Sequence, residues 1–341
     1  MNTVGILTGG GDCPGLNSVI RAVVKRAKAE GWRVLGFKNG WKGVIENAFD
    51  ELTESSVSGI LPKGGTILGT SRTNPYKKDG DLKKLKDNVA KNQLKAVIAV
   101  GGEDTLGAAN KLCQEGVPVI GVPKTIDNDL SATDYTFGYD TALNIAMECI
   151  DRLHSTAESH NRVMVAEIMG RHAGWIALEA GIAGGADVIL IPEVPVDIEE
   201  VCNLIRKRHA RGRSFSIVAV AEGAVLKDAG VVADSEKDQF GHVRLGGIGN
   251  VIGSLIEQKT GFETRVTVLG HIQRGGSPTA FDRVLGTRFG FHAFDLVKEG
   301  KFGYMVSLQG TKILPVPLAS AVGELKVVPM HYYEMAKLFF G

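Results

Sequence analysis

The segment spanning residues 96–129 constrains the fold of this chain more than any other. Its sequence is AVIAVGGEDTLGAANKLCQEGVPVIGVPKTIDND. Two apolar runs, 96–100 and 117–122, flank a helical pattern, and a polar loop follows each run. This order predicts two parallel strands joined by a helix, with both loops leaving the same edge of one sheet. In a doubly wound α/β sheet, ligands bind at that carboxyl edge.

Both loops are unusually rich in charged and hydroxyl side chains, namely Glu103, Asp104, Thr105, Lys124, Thr125, Asp127 and Asp129. Capping of the intervening helix explains one of the four carboxylates but hardly all of them. Hard cations that carry phosphate ligands take a few carboxylate oxygens and keep several waters, so Mg²⁺ is the expected ion. A remaining carboxylate would act as the base that removes a proton from an attacking hydroxyl.

Short apolar runs alternate with helical patterns along the rest of the chain. The strands expected outside the first segment are 4–7, 32–37, 162–168, 188–191, 216–221 and 264–269. The expected helices are 17–29, 82–89, 139–153, 173–183, 247–258 and 282–297. The sequence therefore predicts an α/β fold with largely parallel sheets. Composition alone does not place a domain boundary.

The bulk composition argues against several classes of protein. The 341 residues suffice for two ordinary domains, with 44% hydrophobic and 23% charged residues. A net charge of +1 indicates neither a nucleic-acid partner nor a membrane partner, and no apolar run reaches the ~18–20 residues of a membrane span. The four cysteines form no CxxC pair, so zinc sites and a disulfide framework are not expected. Without a signal-peptide pattern, we expect a cytoplasmic protein.

A glycine-rich turn, GGGDCPG, follows the first strand and precedes the first helix. The amides of Gly10 and Gly11, together with the helix N-terminus, would form a site for an anion such as phosphate. The same residues would equally form a tight strand-to-helix turn without a ligand. The spacing matches neither the Walker A loop nor the dinucleotide fingerprint.

Basic side chains recur at or beside strand ends, at Arg72, Lys124, Arg162, Arg171, Arg265 and Arg274. Each alone fits an ordinary surface position, but together with the carboxylate cluster they favour phosphate binding. His271, in the turn GHIQRGG, would donate to a phosphate or a sugar, or would have a structural role. The basic run 206–213 fits a solvated helix end, and an effector or subunit contact is the sharper alternative.

Seven motifs together resemble the 6-phosphofructokinase family. They are GGGDCPGLN, GGTILGTSR, GGEDT, PKTIDND, MGRHAGW, AEGA and GHIQRGGSP, in the family's order and spacing, between positions 9 and 278. The resemblance covers nearly the whole chain. It implies two similar α/β domains, each a largely parallel sheet flanked by helices, with the active site in the cleft between them. It also implies a homodimer or homotetramer in which a neighbouring subunit completes the sugar-phosphate site.

The resemblance also implies a role for each matching residue. Asp127 would take the proton from the 1-hydroxyl of fructose 6-phosphate, Asp129 would support the metal centre and Glu103 would bind Mg²⁺. Thr125 and Arg171 would orient the reacting groups. The phosphoryl donor would contact Gly10, Gly11, Arg72, Asp104 and Lys124. Fructose 6-phosphate would contact Thr125, Met169, Gly170, Arg171, Glu222, His271 and Arg274, and would be reached from the neighbouring subunit by Arg162 and Arg265.

The same resemblance implies how the chain is divided between the domains. Residues 1–138 with about 251–301 would form the donor domain. Residues 139–250 with about 302–341 would form the fructose 6-phosphate domain. The chain would therefore cross between the domains more than once.

Two positions depart from the ATP-using members of the family and resemble the pyrophosphate-dependent members. ATP-dependent relatives usually carry glycine where this chain has Asp104 and Lys124. A carboxylate at 104 would add bulk and negative charge where a nucleotide α-phosphate would lie. Lys124 would offset that charge at the transferring or leaving phosphate. We therefore expect reversible phosphoryl transfer from pyrophosphate to fructose 6-phosphate, a step of glycolysis.

Two other functions remain open at this point. An ATP-dependent 6-phosphofructokinase would require Lys124 to tolerate a nucleotide. A non-catalytic sugar-phosphate-binding or regulatory protein would not need Thr125, Asp127 and Asp129, yet all three are present. No motif separates fructose 6-phosphate from sedoheptulose 7-phosphate as the acceptor.

Overall fold

The computed structural model describes residues 1–227, 230–231, 233–237 and 243–341. Its strands are β1 Thr3–Thr8, β2 Arg33–Phe37, β3 Phe49–Leu52, β4 Leu94–Gly101, β5 Val119–Pro123, β6 Val163–Ile168, β7 Val188–Leu190, β8 Ser216–Ala221, β9 Val225–Leu226, β10 Gly230–Val231, β11 Ala233–Lys237, β12 Val243–Leu245, β13 Thr264–Val268, β14 Tyr304–Gln309 and β15 Lys312–Pro317. Its helices are α1 Leu16–Ala29, α2 Trp41–Glu46, α3 Asp81–Lys91, α4 Glu103–Gln114, α5 Tyr139–His160, α6 Trp175–Ala183, α7 Ile198–Ala210, α8 Ile248–Thr260, α9 Ala280–Lys298, α10 Leu318–Ala321 and α11 Met330–Lys337. A 3₁₀-helix covers Gly270–Arg274.

The predicted α/β class is confirmed, and each strand and helix expected from an apolar pattern is present. Helix α1 shows the physical reason. Its apolar residues Leu16, Val19, Ile20 and Val23 are buried, and they recur at the spacing of one helical face. That face packs against α9 and the first sheet, so burial fixes the helix that the periodicity predicts.

Seven strands form the larger sheet, in the order β15-β14-β5-β4-β1-β2-β3. Its inner strands are parallel, and the edge strands β3 and β15 are antiparallel to their neighbours. Strands β4 and β5 pair in parallel from Val97 opposite Val119 to Gly101 opposite Pro123. This pairing confirms that the two loops of the segment 96–129 leave the same edge of one sheet.

The smaller sheet has four parallel strands in the order β13-β6-β8-β7. Helices α6 and α8 pack against its strands, and α11 packs on α6 and β7. Because the strands are covered by helices, they read as nearly continuous apolar runs such as SIVAVA in β8.

Two segments pair with a different sheet from the one that the resemblance implies. Strand β13, together with α8, belongs to the smaller sheet, whereas residues 251–301 were expected in the donor domain. Strands β14 and β15 extend the larger sheet, whereas residues 302–341 were expected in the fructose 6-phosphate domain. Strand membership depends on hydrogen bonding to a distant partner strand, and the local sequence does not reveal that partner.

The hairpin β14–β15 is not among the strands expected from the sequence, and β15 contains Pro315 and Pro317. Strand β15 lies at the edge of the larger sheet, with Pro315 opposite Val306 and Pro317 opposite Tyr304. An edge strand tolerates proline because one side of its backbone needs no ladder hydrogen bond. The two prolines therefore mark a sheet edge.

Helix α7 ends within the basic run 206–213, which supports the interpretation of that run as a helix end. Arg208 forms an ion pair with Asp187 at 2.9 Å and donates to the carbonyl oxygen of Phe215 at 3.0 Å. Arg206 donates to the carbonyl oxygen of Lys259 at 2.6 Å. These two arginines are thus engaged by the chain's own groups.

None of the helices in the described ranges combines the length and apolar character that a membrane-spanning segment needs.

Candidate active site

The carboxyl ends of strands from the two sheets meet at a cleft of about 600 Å³ that is open to solvent. Its lining residues include Gly10, Gly11, Asp12, Arg72, Glu103, Asp104, Thr105, Lys124, Thr125, Asp127, Asp129, Arg171 and Arg274. Most of these side chains were singled out from sequence. The structure therefore brings all four predicted carboxylates and four of the six predicted basic residues to one cleft.

The glycine-rich turn after β1 forms the floor of this cleft. Gly10 has φ 79°, in the left-handed region that favours glycine. At Gly11, an added Cβ atom would lie 2.1 Å from Nη1 of Arg274. The carbonyl oxygen of Gly11 accepts a hydrogen bond from Nζ of Lys124 at 2.5 Å. Two cations therefore flank this backbone, as a binding site for anionic groups requires.

Glu103 and Asp104 occupy the first turn of α4, and Gly102 is its N-cap residue without a side-chain capping bond. Neither carboxylate is therefore the N-cap residue of this helix. Negative charge is favourable at a helix N-terminus, so the fold stabilises the two carboxylates at this position. Both face the cleft, and both also line a second cavity of about 700 Å³ on its other side.

That second cavity is adjacent to the cleft, because the two share Glu103 and Asp104 as lining residues. It is lined by Asn74, Tyr76, Gly107, Ala108, Lys111, Val322 and Gly323 in addition to the two carboxylates. Glu103 and Asp104 thus form the boundary between the two spaces. A donor larger than two phosphates would have to pass this boundary.

The turn after β5 carries Asp127 and Asp129, and it is ordered by its own hydroxyl. The backbone amide of Asp127 donates to Oγ1 of Thr125 at 3.1 Å. Asp127 is only 5% exposed, and its Oδ1 has no hydrogen-bond partner among the described residues. A buried carboxylate oxygen without a donor is costly in an empty site, and a substrate hydroxyl would satisfy it.

The charge of Asp127 affects its neighbour Asp129. Burial, followed by the negative charge of Asp127, raises the pKa of Asp129 to about 7. Arg171 and the Thr125 hydroxyl act in the opposite direction. Two carboxylates this close resist full ionisation unless cations join them, so the turn favours a bound cation or a shared proton.

Lys124 is buried in the same region, with 4% of its surface exposed. Burial lowers the pKa of Lys124, while the charges of Asp127 and Asp12 raise it. Its ammonium lies 3.5 Å from the position of a Cβ atom on Gly10. Because burial lowers the pKa of Lys124, a phosphate group bound beside it would stabilise its charged form.

The loop after β6 contributes Met169, Gly170 and Arg171 from the smaller sheet. Oε1 of Glu222 accepts hydrogen bonds from the amides of Gly170 at 3.4 Å and Arg171 at 3.1 Å. Arg171 adopts φ 50°, a left-handed conformation that these contacts maintain. Burial raises the pKa of Glu222. Glu222 thus positions the Arg171 loop, a role that the sequence did not indicate.

Arg162 and Arg265 lie away from this cleft. They stand at the amino ends of β6 and β13, whereas the Arg171 loop follows the carboxyl end of β6. Both contact the carboxylate of Glu263, with Arg162 at 2.9 Å. Arg162 and Arg265 therefore lie on the edge of the smaller sheet opposite the Arg171 loop, because strand ends of opposite sense lie on opposite edges.

Arg274 and His271 belong to the same 3₁₀-helix but have different surroundings. Arg274 points to Gly11 in the glycine-rich turn, and its Nε is buried without a partner among the described residues. His271 is exposed and is not among the residues that line the cleft. Arg274 therefore lines the cleft, whereas His271 does not.

Four lining residues were not assigned a role from sequence, namely Asp12, Gly102, Thr105 and Ile126. Asp12 follows the three glycines directly, and its position alone could have identified it. Thr105 packs against Gly9 and Gly101, where an added Cβ atom would lie 2.6 Å and 2.4 Å from its side chain. Both glycines are therefore needed for the close approach of α4 to the strand ends.

The donor set of the cleft fits Mg²⁺ bound together with phosphate. In the described part of the chain, no group of three or more histidine, cysteine, aspartate or glutamate side chains is arranged to hold a metal ion by itself. Glu103 is exposed at the cleft, beside Asp104 and within the same lining as Asp127 and Asp129. Mg²⁺ usually binds through one or two carboxylates plus substrate phosphates and waters, which these residues permit.

Comparisons with known proteins agree with this geometry. A family model described as phosphofructokinase matches residues 3–297. A pyrophosphate–fructose 6-phosphate 1-phosphotransferase from Amycolatopsis methanolica is 57% identical over 340 residues, covering 99% of both chains. An ATP-dependent 6-phosphofructokinase from Mycobacterium leprae is 53% identical over 341 residues, again covering 99% of both chains.

Among solved structures, phosphofructokinase from Saccharomyces cerevisiae is similar, with a TM-score of 0.83 and 30% identity. The match covers 99% of this chain and 47% of the yeast chain, so this chain spans about half the length of that protein. The two-sheet architecture around the cleft is therefore shared with solved structures.

Proposed function

The chain belongs to the phosphofructokinase family, and from this premise we propose that it is a pyrophosphate-dependent 6-phosphofructokinase of the cytoplasm. It would transfer a phosphoryl group reversibly from pyrophosphate to the 1-hydroxyl of fructose 6-phosphate. The products would be fructose 1,6-bisphosphate and phosphate. The observation that carries the proposal is that Asp104 and Lys124 line the same cleft as Asp127.

In this proposal Asp127 is the general base. Its partnerless Oδ1 accepts the proton of the 1-hydroxyl while the sugar oxygen forms a bond to the transferred phosphorus. The bridging P–O bond of pyrophosphate breaks in the same step, and the leaving phosphate carries away the electron pair. Thr125 holds the backbone of Asp127, and Arg171 stabilises the charge on the transferred group.

The donor site in this proposal is the glycine-rich turn with the cations around it. Gly10 and Gly11 line the cleft, and Lys124, Arg72 and Arg274 supply positive charge beside them. Asp104 stands at the boundary with the second cavity, so a nucleotide donor would bring its α-phosphate against a carboxylate. Like charges placed together disfavour the longer donor, and pyrophosphate ends before that boundary.

We expect the donor preference to be large. In assays of fructose 6-phosphate phosphorylation at equal Mg²⁺, kcat/KM with pyrophosphate should exceed kcat/KM with ATP by about 100-fold or more, since like-charge contacts cost several kcal/mol and about 1.4 kcal/mol corresponds to tenfold. Strong activity with ATP and none with pyrophosphate would instead support the ATP-dependent alternative, which the mycobacterial relative's name keeps open. Fructose 6-phosphate and sedoheptulose 7-phosphate should be compared as acceptors in the same assays.

Mg²⁺ is the proposed cofactor, and when bound it would neutralise charge on the pyrophosphate oxygens. Glu103 would hold it directly, and Asp129 would support its coordination shell. The acid pair of the β5 turn supports this assignment, because burial and Asp127 raise the pKa of Asp129 in the absence of a cation.

Replacing Glu103 by glutamine should raise the Mg²⁺ concentration needed for half-maximal activity by about 10-fold or more, since lost metal contacts typically cost that much affinity. The measurement is a Mg²⁺ titration of initial rate at saturating substrates. Glu115→Gln is the matched control, because Glu115 caps the far end of the same helix. Full activity of the wild-type enzyme in excess chelator would contradict the metal assignment.

A second copy of the chain is the proposed partner for the sugar-phosphate site. Arg162 and Arg265 lie together around Glu263 on the edge of the sheet opposite the cleft. Their position supports the proposal that they act on fructose 6-phosphate bound to a neighbouring subunit. Either a homodimer or a homotetramer would provide this contact between subunits. Met169, Gly170, Glu222 and His271 keep their proposed roles beside the sugar.

A further inference from the structure

A short tail segment connects the loops that form the two sides of the cleft. We name residues 324–328 the tail strap. The carbonyl oxygen of Glu324 accepts from Oγ of Ser131 at 2.6 Å, and Leu325 forms an antiparallel bridge with Leu130. The amide of Lys326 donates to the carbonyl oxygen of Asp129 at 2.9 Å. The strap therefore pairs directly with the turn that carries the catalytic acids.

The opposite side of the tail strap holds the start of α6, just after the Arg171 loop. Nε1 of Trp175 donates to the carbonyl oxygen of Lys326 at 2.9 Å. The amide of Val328 donates to Oε1 of Glu193 at 2.9 Å, and the same oxygen accepts from the amide of Gly174 at 2.9 Å. The strap thus ties elements of the smaller sheet to a turn of the larger sheet.

The side chain of Lys326 reinforces the same turn. Its Nζ donates to Oδ1 of Asn128 at 3.1 Å and to the carbonyl oxygens of Thr133 at 3.1 Å and Asp134 at 2.6 Å. All three donors of the ammonium are therefore used. The Trp175 ring lies 5.2 Å away, within cation–π distance.

Asn128 makes this contact relevant to catalysis. It lies between Asp127 and Asp129, is 1% exposed and has φ 53°. A left-handed non-glycine residue persists only when its surroundings hold it. Oδ1 of Asn128 accepts from Lys326 and from the amide of Thr136 at 3.2 Å, so Lys326 helps to hold the conformation that aims both acids.

We propose that Lys326 is a positioning residue for phosphoryl transfer: it fixes the Asp127–Asp129 turn relative to the Arg171 loop through the tail strap. This inference rests on the proposed function, because its main readout is that reaction. The proposed role has a physical reason, because displacing a catalytic base by about 1 Å can lower the reaction rate about 100-fold. Lys326 contacts both Asn128 and the backbone of residues 133–134 in the same loop.

Lys326→Met, which keeps the length but removes the ammonium, should lower kcat by about 10- to 100-fold while each KM changes by less than about threefold. Lys326→Arg, which keeps the charge, should recover most of that loss. In hydrogen–deuterium exchange, amides of residues 128–136 should exchange faster in Lys326→Met than in wild type. Lys337→Met is the control, because the ion pairs of this tail lysine within the described ranges, to Glu200 and Glu334, are both at 4.0 Å.

A wild-type kcat in Lys326→Met, with only a lowered melting temperature, would overturn the proposal by reducing Lys326 to a structural role. If that variant does not fold, Trp175→Phe removes a single bond to the strap and should still lower kcat without changing KM. An unchanged kcat in Trp175→Phe would also overturn the proposal. A wild-type protein inactive with every donor would refute the proposed function, and the exchange data would still test whether Lys326 orders the turn.

Discussion

Replacing Asp127 by asparagine should lower kcat for fructose 6-phosphate phosphorylation by about 10³- to 10⁴-fold, the upper range for loss of a positioned general base. The amide cannot accept the hydroxyl proton, and it also removes a negative charge beside the transferring group. The size of the side chain is unchanged, so the bond from the amide of residue 127 to Thr125 should persist. Steady-state rates at saturating pyrophosphate and Mg²⁺ measure the effect.

The KM for fructose 6-phosphate should change little in this variant, because Asp127 acts mainly in the transition state. Asp151→Asn is a suitable control, since Asp151 is an exposed aspartate on α5. A retained kcat within about tenfold of wild type would contradict the base assignment, because it would leave less than the lowest typical contribution of such a group. It would also revive the hypothesis of a non-catalytic sugar-phosphate-binding protein.

The layout of the cleft could be predicted because the candidate catalytic residues directly follow the ends of strands. In β4 and β5, the apolar run stops at a glycine or proline and charged residues follow at once. Parallel pairing then places Glu103 and Asp127 on one edge without any long-range information. Local sequence is informative here because a βαβ unit is itself a local structure.

What could not be predicted depends on contacts between distant residues. Lys326 reaches Asn128 across almost two hundred positions, and no motif surrounds it. Arg162 and Arg171 flank the same strand, yet the six residues of β6 lie between them. The sequence shows which residues stand at strand ends, but the direction and neighbours of each strand decide which of these ends face one another.

The Asp104→Gly, Lys124→Gly double variant should exchange one donor preference for the other. We expect kcat/KM with pyrophosphate to fall by about 10²- to 10³-fold, the typical cost of losing one preorganised charge at the reacting group. We expect kcat/KM with ATP to rise by about 10-fold or more as the like-charge contact disappears. Parallel assays with both donors at equal Mg²⁺ measure the two changes.

The single variants separate the two contributions. Asp104→Asn keeps the bulk of the side chain but removes its charge, so a gain with ATP in this variant would identify charge repulsion as the barrier. Lys124→Met keeps much of the buried volume while removing the ammonium that contacts Gly11, and it should lose pyrophosphate activity without gaining ATP activity.

The double variant tests the role of Asp104 directly, because Asp104 lines both the cleft and the adjacent second cavity. If Asp104 blocks a nucleotide, removing it opens a path into space that already exists, and ATP should benefit without any rearrangement of α4. If ATP activity does not rise in any of these variants, donor choice must depend on residues other than this pair. The family assignment would stand, since it depends on the whole matched chain, but the pyrophosphate proposal would lose its structural basis.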